Sequence, residues 1–174
     1  NEKHIIGFTL EGFYTRLNDA FILEEIGTDP DGNSILEKRN GGSSMVYGVT
    51  FEARANFNRT LQIEGGLTAQ KSQYDEAVAW SEELPGTKDY LRTPEIYGYY
   101  TLSWTPADRF SASLSGVFTG SMLVPHYGLA GDAGTPESDE LFKSPSFMET
   151  NIKLGYLFDL KRVDSSIEIF SGVS

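Results

Sequence analysis

The sequence has no cysteine and only two histidines in 174 residues. Without thiols there is neither a disulfide framework nor a thiolate metal site. A Ser/His/Asp set can be drawn only from His126, Asp132 and scattered serines, and Thr119-Gly120-Ser121 is not the Gly-x-Ser-x-Gly turn that exposes a nucleophile. No enzyme, no cofactor and no metal centre is therefore expected. Basic residues are also scarce: 14 Lys and Arg against 25 Asp and Glu give a formal net charge of −11. A phosphate backbone needs a concentrated cationic surface, so nucleic acid is excluded as a partner. Finally, no run of about 18 apolar residues occurs, which rules out a membrane-spanning helix. It does not rule out a membrane-spanning barrel, whose wall needs only every second residue to be apolar.

That alternation is what the chain does have. Successive side chains of a strand point to opposite faces. Tyr47, Val49, Phe51, Ala53, Ala55 and Phe57 share one face, opposite Gly48, Thr50, Glu52, Arg54 and Asn56. The pattern recurs in Leu61, Ile63, Gly65, Leu67 and Ala69, in Phe110, Ala112, Leu114, Gly116 and Phe118, and in Ile152, Leu154, Tyr156 and Phe158. Strands through Ile6 to Tyr14 and Ile96 to Trp104 follow it less strictly, because Phe13, Tyr97 and Tyr99 fall on the polar set. These rings are expected to fill a lumen or brace loops.

The joints alternate too. Residues 58–60, 106–109 and 161–164 are short, whereas 24–42, 71–94 and 124–146 are long and hold more than half of the acidic residues. Short turns at one rim and long loops at the other are the pattern of an antiparallel transmembrane β-barrel. Phe57, Trp104, Phe110 and Phe158 lie beside the short joints, where an interfacial aromatic girdle belongs. The acidic loops are read as solvated surface, since none carries the ligand spacing of a calcium loop. Six complete strands and part of a seventh can be counted, too few to close a barrel, so the chain reads as an incomplete segment of a larger one.

The sequence resembles the TonB-dependent outer-membrane receptors, in particular the C-terminal part of the barrel in Bacteroidetes-type members. The resemblance is carried by Gly12-Phe13-Tyr14-Thr15-Arg16-Leu17-Asn18-Asp19-Ala20-Phe21-Ile22 and by Tyr47-Gly48-Val49-Thr50-Phe51-Glu52-Ala53. Further on it is carried by Arg92-Thr93-Pro94, Phe118-Thr119-Gly120-Ser121-Met122-Leu123-Val124-Pro125-His126-Tyr127, Ser144-Pro145-Ser146-Phe147 and Phe170-Ser171-Gly172-Val173-Ser174. It covers nearly all of residues 1–174, which would be one partial barrel domain lacking the plug domain and the last strand. It implies a barrel of about 22 strands around an N-terminal plug, in the bacterial outer membrane, with long loops extracellular and short turns periplasmic.

The implied activity is import of a scarce nutrient of the siderophore, haem or cobalamin class. The implied partners are outer-membrane lipid and lipopolysaccharide, the TonB complex acting through the plug, the nutrient itself and a surface lipoprotein. Met148-Glu149-Thr150-Asn151 after the Ser-Pro-Ser-Phe segment points away from the glycan-importing branch. Within that frame the candidate ligand contacts are Tyr74, Trp80 and Tyr90 on the second long loop, and His126 and Tyr127 above the fifth strand. Rings at such places can stack on a flat ligand, although the favoured reading of Tyr127 is a place in the outer aromatic girdle and that of His126 a solvated or loop-packed histidine. Readings from other classes are a non-transport adhesion barrel and a soluble β-sandwich, whose connections are more even in length.

Overall fold

The computed structural model describes residues 4–19, 21–30, 34–40, 42–80, 85–126, 128, 138–160 and 165–174. Among them every regular element is a strand: β1 (His4–Leu17), β2 (Phe21–Thr28), β3 (Ser34–Asn40), β4 (Ser44–Phe57), β5 (Leu61–Val78), β6 (Thr87–Asp89), β7 (Ile96–Ala107), β8 (Phe110–Thr119), β9 (Leu123–His126), β10 (Glu140–Lys143), β11 (Phe147–Leu160) and β12 (Ser165–Val173). Seven of these form one antiparallel meander in the order β1-β4-β5-β7-β8-β11-β12, with β6 added against β5. Six of these are the strands read from the alternation, and β12 is the seventh, read there only in part.

The register explains why one pattern serves all seven strands. Leu10 pairs with Phe51 and Phe51 with Leu67. Leu102 pairs with Leu114, Leu114 with Ile152, and Ile152 with Val173. Apolar residues thus face apolar residues across every ladder, and polar ones do the same in Thr50 opposite Thr68 and Ser103 opposite Ser113. A slip of one residue would invert a whole strand. No large apolar side chain is buried among the described residues; in mid-sheet Phe51, Leu67 and Leu154 keep 48%, 52% and 50% of their surface exposed. A soluble sheet would cover such a face, whereas a barrel wall offers it to lipid. The fold is an all-β, antiparallel transmembrane barrel wall, seen as a segment.

Two short joints are tight turns. In 58–60 both Asn58 (φ 54°) and Arg59 (φ 60°) are left-handed, the geometry that matches strand twist in a two-residue hairpin. Thr60 N–H donates to Phe57 O at 3.0 Å, and Arg59 N–H donates to the Asn56 side-chain oxygen at 2.9 Å. A side chain other than glycine is strained there, so Arg59→Gly is expected to stabilise the protein by about 1 kcal/mol, measured by urea unfolding. The second turn is anchored by Arg109, which pairs with Asp159 on β11 at 2.6 Å. The third joint, 161–164, lies outside the described residues.

Phe13, Tyr97 and Tyr99 lie on the polar set as read, and two of them cover glycines. The Phe13 ring lies against Gly48, directly opposite it in the ladder. Tyr99 lies over Gly66, where a Cβ would come within 2.7 Å of its ring. From there the Tyr99 hydroxyl donates to Glu52 at 3.1 Å and sits 3.4 Å from Glu64. An aromatic ring laid over a cross-strand glycine fills the gap the glycine leaves.

The long connections differ from loops. β5 continues as a strand to Val78, β2 and β3 form a hairpin, and β9 pairs with β10. The physical reason is that strands above the lipid need no apolar face, so the alternation that marks a wall strand stops where the hydrocarbon stops.

Candidate functional site

Above Gln70 the extension of β5 carries Lys71, Gln73 and Asp75 on one face and Ser72 and Tyr74 on the other, the latter continuing the polar face of Thr68 and Gln70. A strap of chain runs back along it. β6 pairs with β5 through Gln73 and Asp89, Tyr90 N–H donates to Ser72 O at 3.2 Å, and Gln70 N–H donates to Glu95 O at 2.7 Å. Between these bonds the chain bulges through Arg92, whose φ of 55° is left-handed and whose N–H donates to Leu123 O at 2.7 Å. The strap is thereby tied to β5 on one side and to β9 on the other.

On the Lys71 face the ties are ionic. Lys71 lies 2.5 Å from Glu95 and 3.0 Å from Asp89, and Gln73 donates to Asp89 at 3.0 Å. Arg16 of β1 reaches across to Asp75 at 2.5 Å, and Lys88 donates to the Asp75 carbonyl at 2.8 Å. The hydrogen bond from Lys71, then that from Gln73, holds the Asp89 carboxyl below the usual carboxylate range. The bonds to Glu95 and then Asp89 raise the Lys71 ammonium. A depressed carboxylate contributes stability above its ordinary value and loses it as pH falls through its own lower one; a raised ammonium contributes below the ordinary lysine value and loses it only above. The strap is therefore expected to hold across neutral pH and loosen in acid below about pH 4. Both side chains are about one-third exposed or more, 32% for Lys71 and 40% for Asp89, which keeps each pair within about 1 kcal/mol. Lys71→Met should raise amide exchange in residues 87–95 while leaving β7 and β8 unchanged, as read by hydrogen–deuterium exchange.

The candidate aromatics divide into two groups. Tyr74 and Tyr90 have ring centroids 4.3 Å apart, and Trp80 lies 6.3 Å from Tyr74. Burial, followed by the neighbouring Tyr90, raises the Tyr74 hydroxyl above its ordinary value. The Trp80 indole N–H is buried without a partner among the described residues. His126 joins no ring of this cluster; it stacks on Phe142 of β10 at 5.1 Å and 17°, with Nδ1 3.7 Å from Glu140. Tyr127 lies outside the described residues. Three of the five candidates are thus brought together and one stands apart on the β9–β10 hairpin. Sequence reasoning missed Lys71, Asp89 and Phe142 because each lies in a stretch without wall alternation; the period-two run Lys71, Gln73, Asp75 was the available signal. No cluster of three or more His, Asp or Glu able to hold a metal occurs among the described residues.

No protein-family model matches the sequence, and no curated protein matches it. Solved structures do. The ferric-catecholate import receptor Fiu from E. coli K12, in its closed form, aligns with 87% of this chain at a TM-score of 0.57 and 22% identity. The siderophore receptor PirA from Acinetobacter baumannii aligns with 87% of it at 0.58 and 13% identity. The fold is one these receptors share. The chain spans only 19% and 23% of their respective lengths, as a stretch of wall in a much larger barrel does.

Proposed function

We propose that this chain is the C-terminal part of the barrel of a TonB-dependent, Bacteroidetes-type outer-membrane receptor that imports a scarce nutrient, with siderophores favoured over haem and cobalamin. The observation that carries the reading is the seven-strand meander with one uncovered apolar face, in a chain 87% of which aligns with two receptors whose names specify a ferric catecholate and a siderophore. In this reading the rim of β6, β9 and β10 is extracellular and the 58–60 and 106–109 turns are periplasmic. The wall contributes no bond-making chemistry: it holds capture segments, of which the Tyr74, Trp80 and Tyr90 cluster is one and His126 on its hairpin another. Tyr127 belongs to the same proposal. Energy would reach the ligand through a plug contacted by TonB, with lipopolysaccharide around the wall and a surface lipoprotein as a further partner.

The test is uptake in cells. The full-length protein should fractionate with the outer membrane, and iron-limited growth on a supplied ferric siderophore should need both this protein and TonB. Recovery in the soluble fraction, or uptake unchanged without TonB, would overturn the proposal.

A further inference from the structure

A cavity of about 380 Å³ lies between the strap and the β9–β10 hairpin, within the range that small-molecule sites occupy. Tyr90, Phe118, Met122 and Leu123 give it aromatic and aliphatic walls, while Ser121 and Ser146 add hydroxyls. Three charged side chains border it. Two of them, Asp89 and Glu95, share the single Lys71 ammonium, and Gln73 also donates to Asp89. The third, Lys143, is exposed and makes no hydrogen bond or ion pair among the described residues. The Ser72, Ser121 and Ser146 hydroxyls likewise have no partner there. The side chains without a partner at this cavity therefore include one cation and three hydroxyls beside an apolar wall. A single negative charge on an apolar body suits this combination, because a charge-assisted hydrogen bond is stronger than a neutral one and the apolar wall can cover the rest of the ligand.

We propose that this cavity is a binding site for a small organic carboxylate bearing a ring or short hydrocarbon body, with Lys143 as its charge partner. Of the aromatic cluster it uses Tyr90 alone, and it leaves the Tyr74, Trp80 and His126 rings out. It goes beyond the uptake reading, since occupancy does not depend on transport.

The test is a fluorine NMR titration of the intact protein in non-ionic detergent with 4-fluorobenzoate. Saturable binding is expected, weakened about tenfold or more both for the neutral isostere 4-fluorobenzamide and for the Lys143→Gln variant. Lys143→Arg should retain binding, and Ser146→Ala should weaken it by a smaller factor. Lys143 is exposed on a short strand above the wall, and heat-modifiable migration on gels verifies that each variant is folded. Absence of saturable binding, equal binding of the amide, or binding undisturbed in Lys143→Gln would overturn the proposal. Inorganic phosphate binding as tightly as 4-fluorobenzoate would also overturn it, because the apolar wall would then contribute nothing.

Discussion

Leu114→Arg is expected to cost on the order of 2–4 kcal/mol of barrel stability in urea unfolding of the protein folded into vesicles. Leu114 stands in mid-strand, between Leu102 on β7 and Ile152 on β11, on the face that no protein covers. A guanidinium there must either drag water into hydrocarbon or displace the strand. The matched control is Ser113→Arg one residue away, opposite Ser103 and Lys153 on the polar face, which should cost far less. Thr68, though also on the polar face, is a poor control: it is 6% exposed and its hydroxyl meets that of Thr50 at 3.0 Å. If Ser113→Arg proved the more damaging of the pair, the two faces would be assigned the wrong way round.

Gly116→Val should cost about 2–3 kcal/mol for a different reason, overpacking rather than polarity. Gly116 pairs with Tyr100 on β7 and Thr150 on β11. The Tyr100 ring crosses above the glycine so that its hydroxyl meets that of Thr150 at 3.0 Å, one strand further on. A Cβ at Gly116 would lie 2.6 Å from the Tyr100 ring and 2.7 Å from the Glu149 carbonyl oxygen. The ring could swing away, but the carbonyl belongs to the ladder and cannot. Swinging the ring would also leave two hydroxyls unpaired in hydrocarbon, where no water replaces the lost bond. Gly12, on the same apolar face of β1, has nothing within 4 Å of the position a Cβ would take. Gly12→Val should therefore be nearly neutral under the same unfolding conditions, and equal costs at the two sites would remove the ring-over-glycine explanation.

How far the fold was legible followed the chemistry of the surroundings. Inside the lipid the solvent imposes a rule on every second residue, and so the two faces of β4, β5, β8 and β11 could be read residue by residue, while the cross-strand pairs could not. Above it no such rule acts. The extension of β5 from Lys71 to Val78 has polar groups on both faces, and β9 and β10 are four residues each. None of these betrays a strand by hydrophobicity. The candidate site was legible only as a set of aromatics: Tyr74, Trp80 and Tyr90 do meet, because β5 and the strap run side by side. That Lys71 would tie the strap down depends on a return path of the chain which no local pattern encodes. Tyr99 and Phe13 were visible as exceptions to the alternation, and their partners Gly66 and Gly48 became visible only with the register.

The measurement that bears most directly on the barrel wall uses the absence of cysteine in this chain. Single cysteines placed at consecutive positions from Phe110 to Ser115 in the intact protein, spin-labelled and reconstituted in lipid, report collision with membrane-dissolved oxygen and with a water-soluble nickel complex. Labels at 110, 112 and 114 should collide preferentially with oxygen, and those at 111, 113 and 115 with nickel, in strict alternation. Uniform accessibility along β8, or preferences interchanged between the two sets, would contradict the assignment of this sheet as a membrane wall with Leu114 facing lipid.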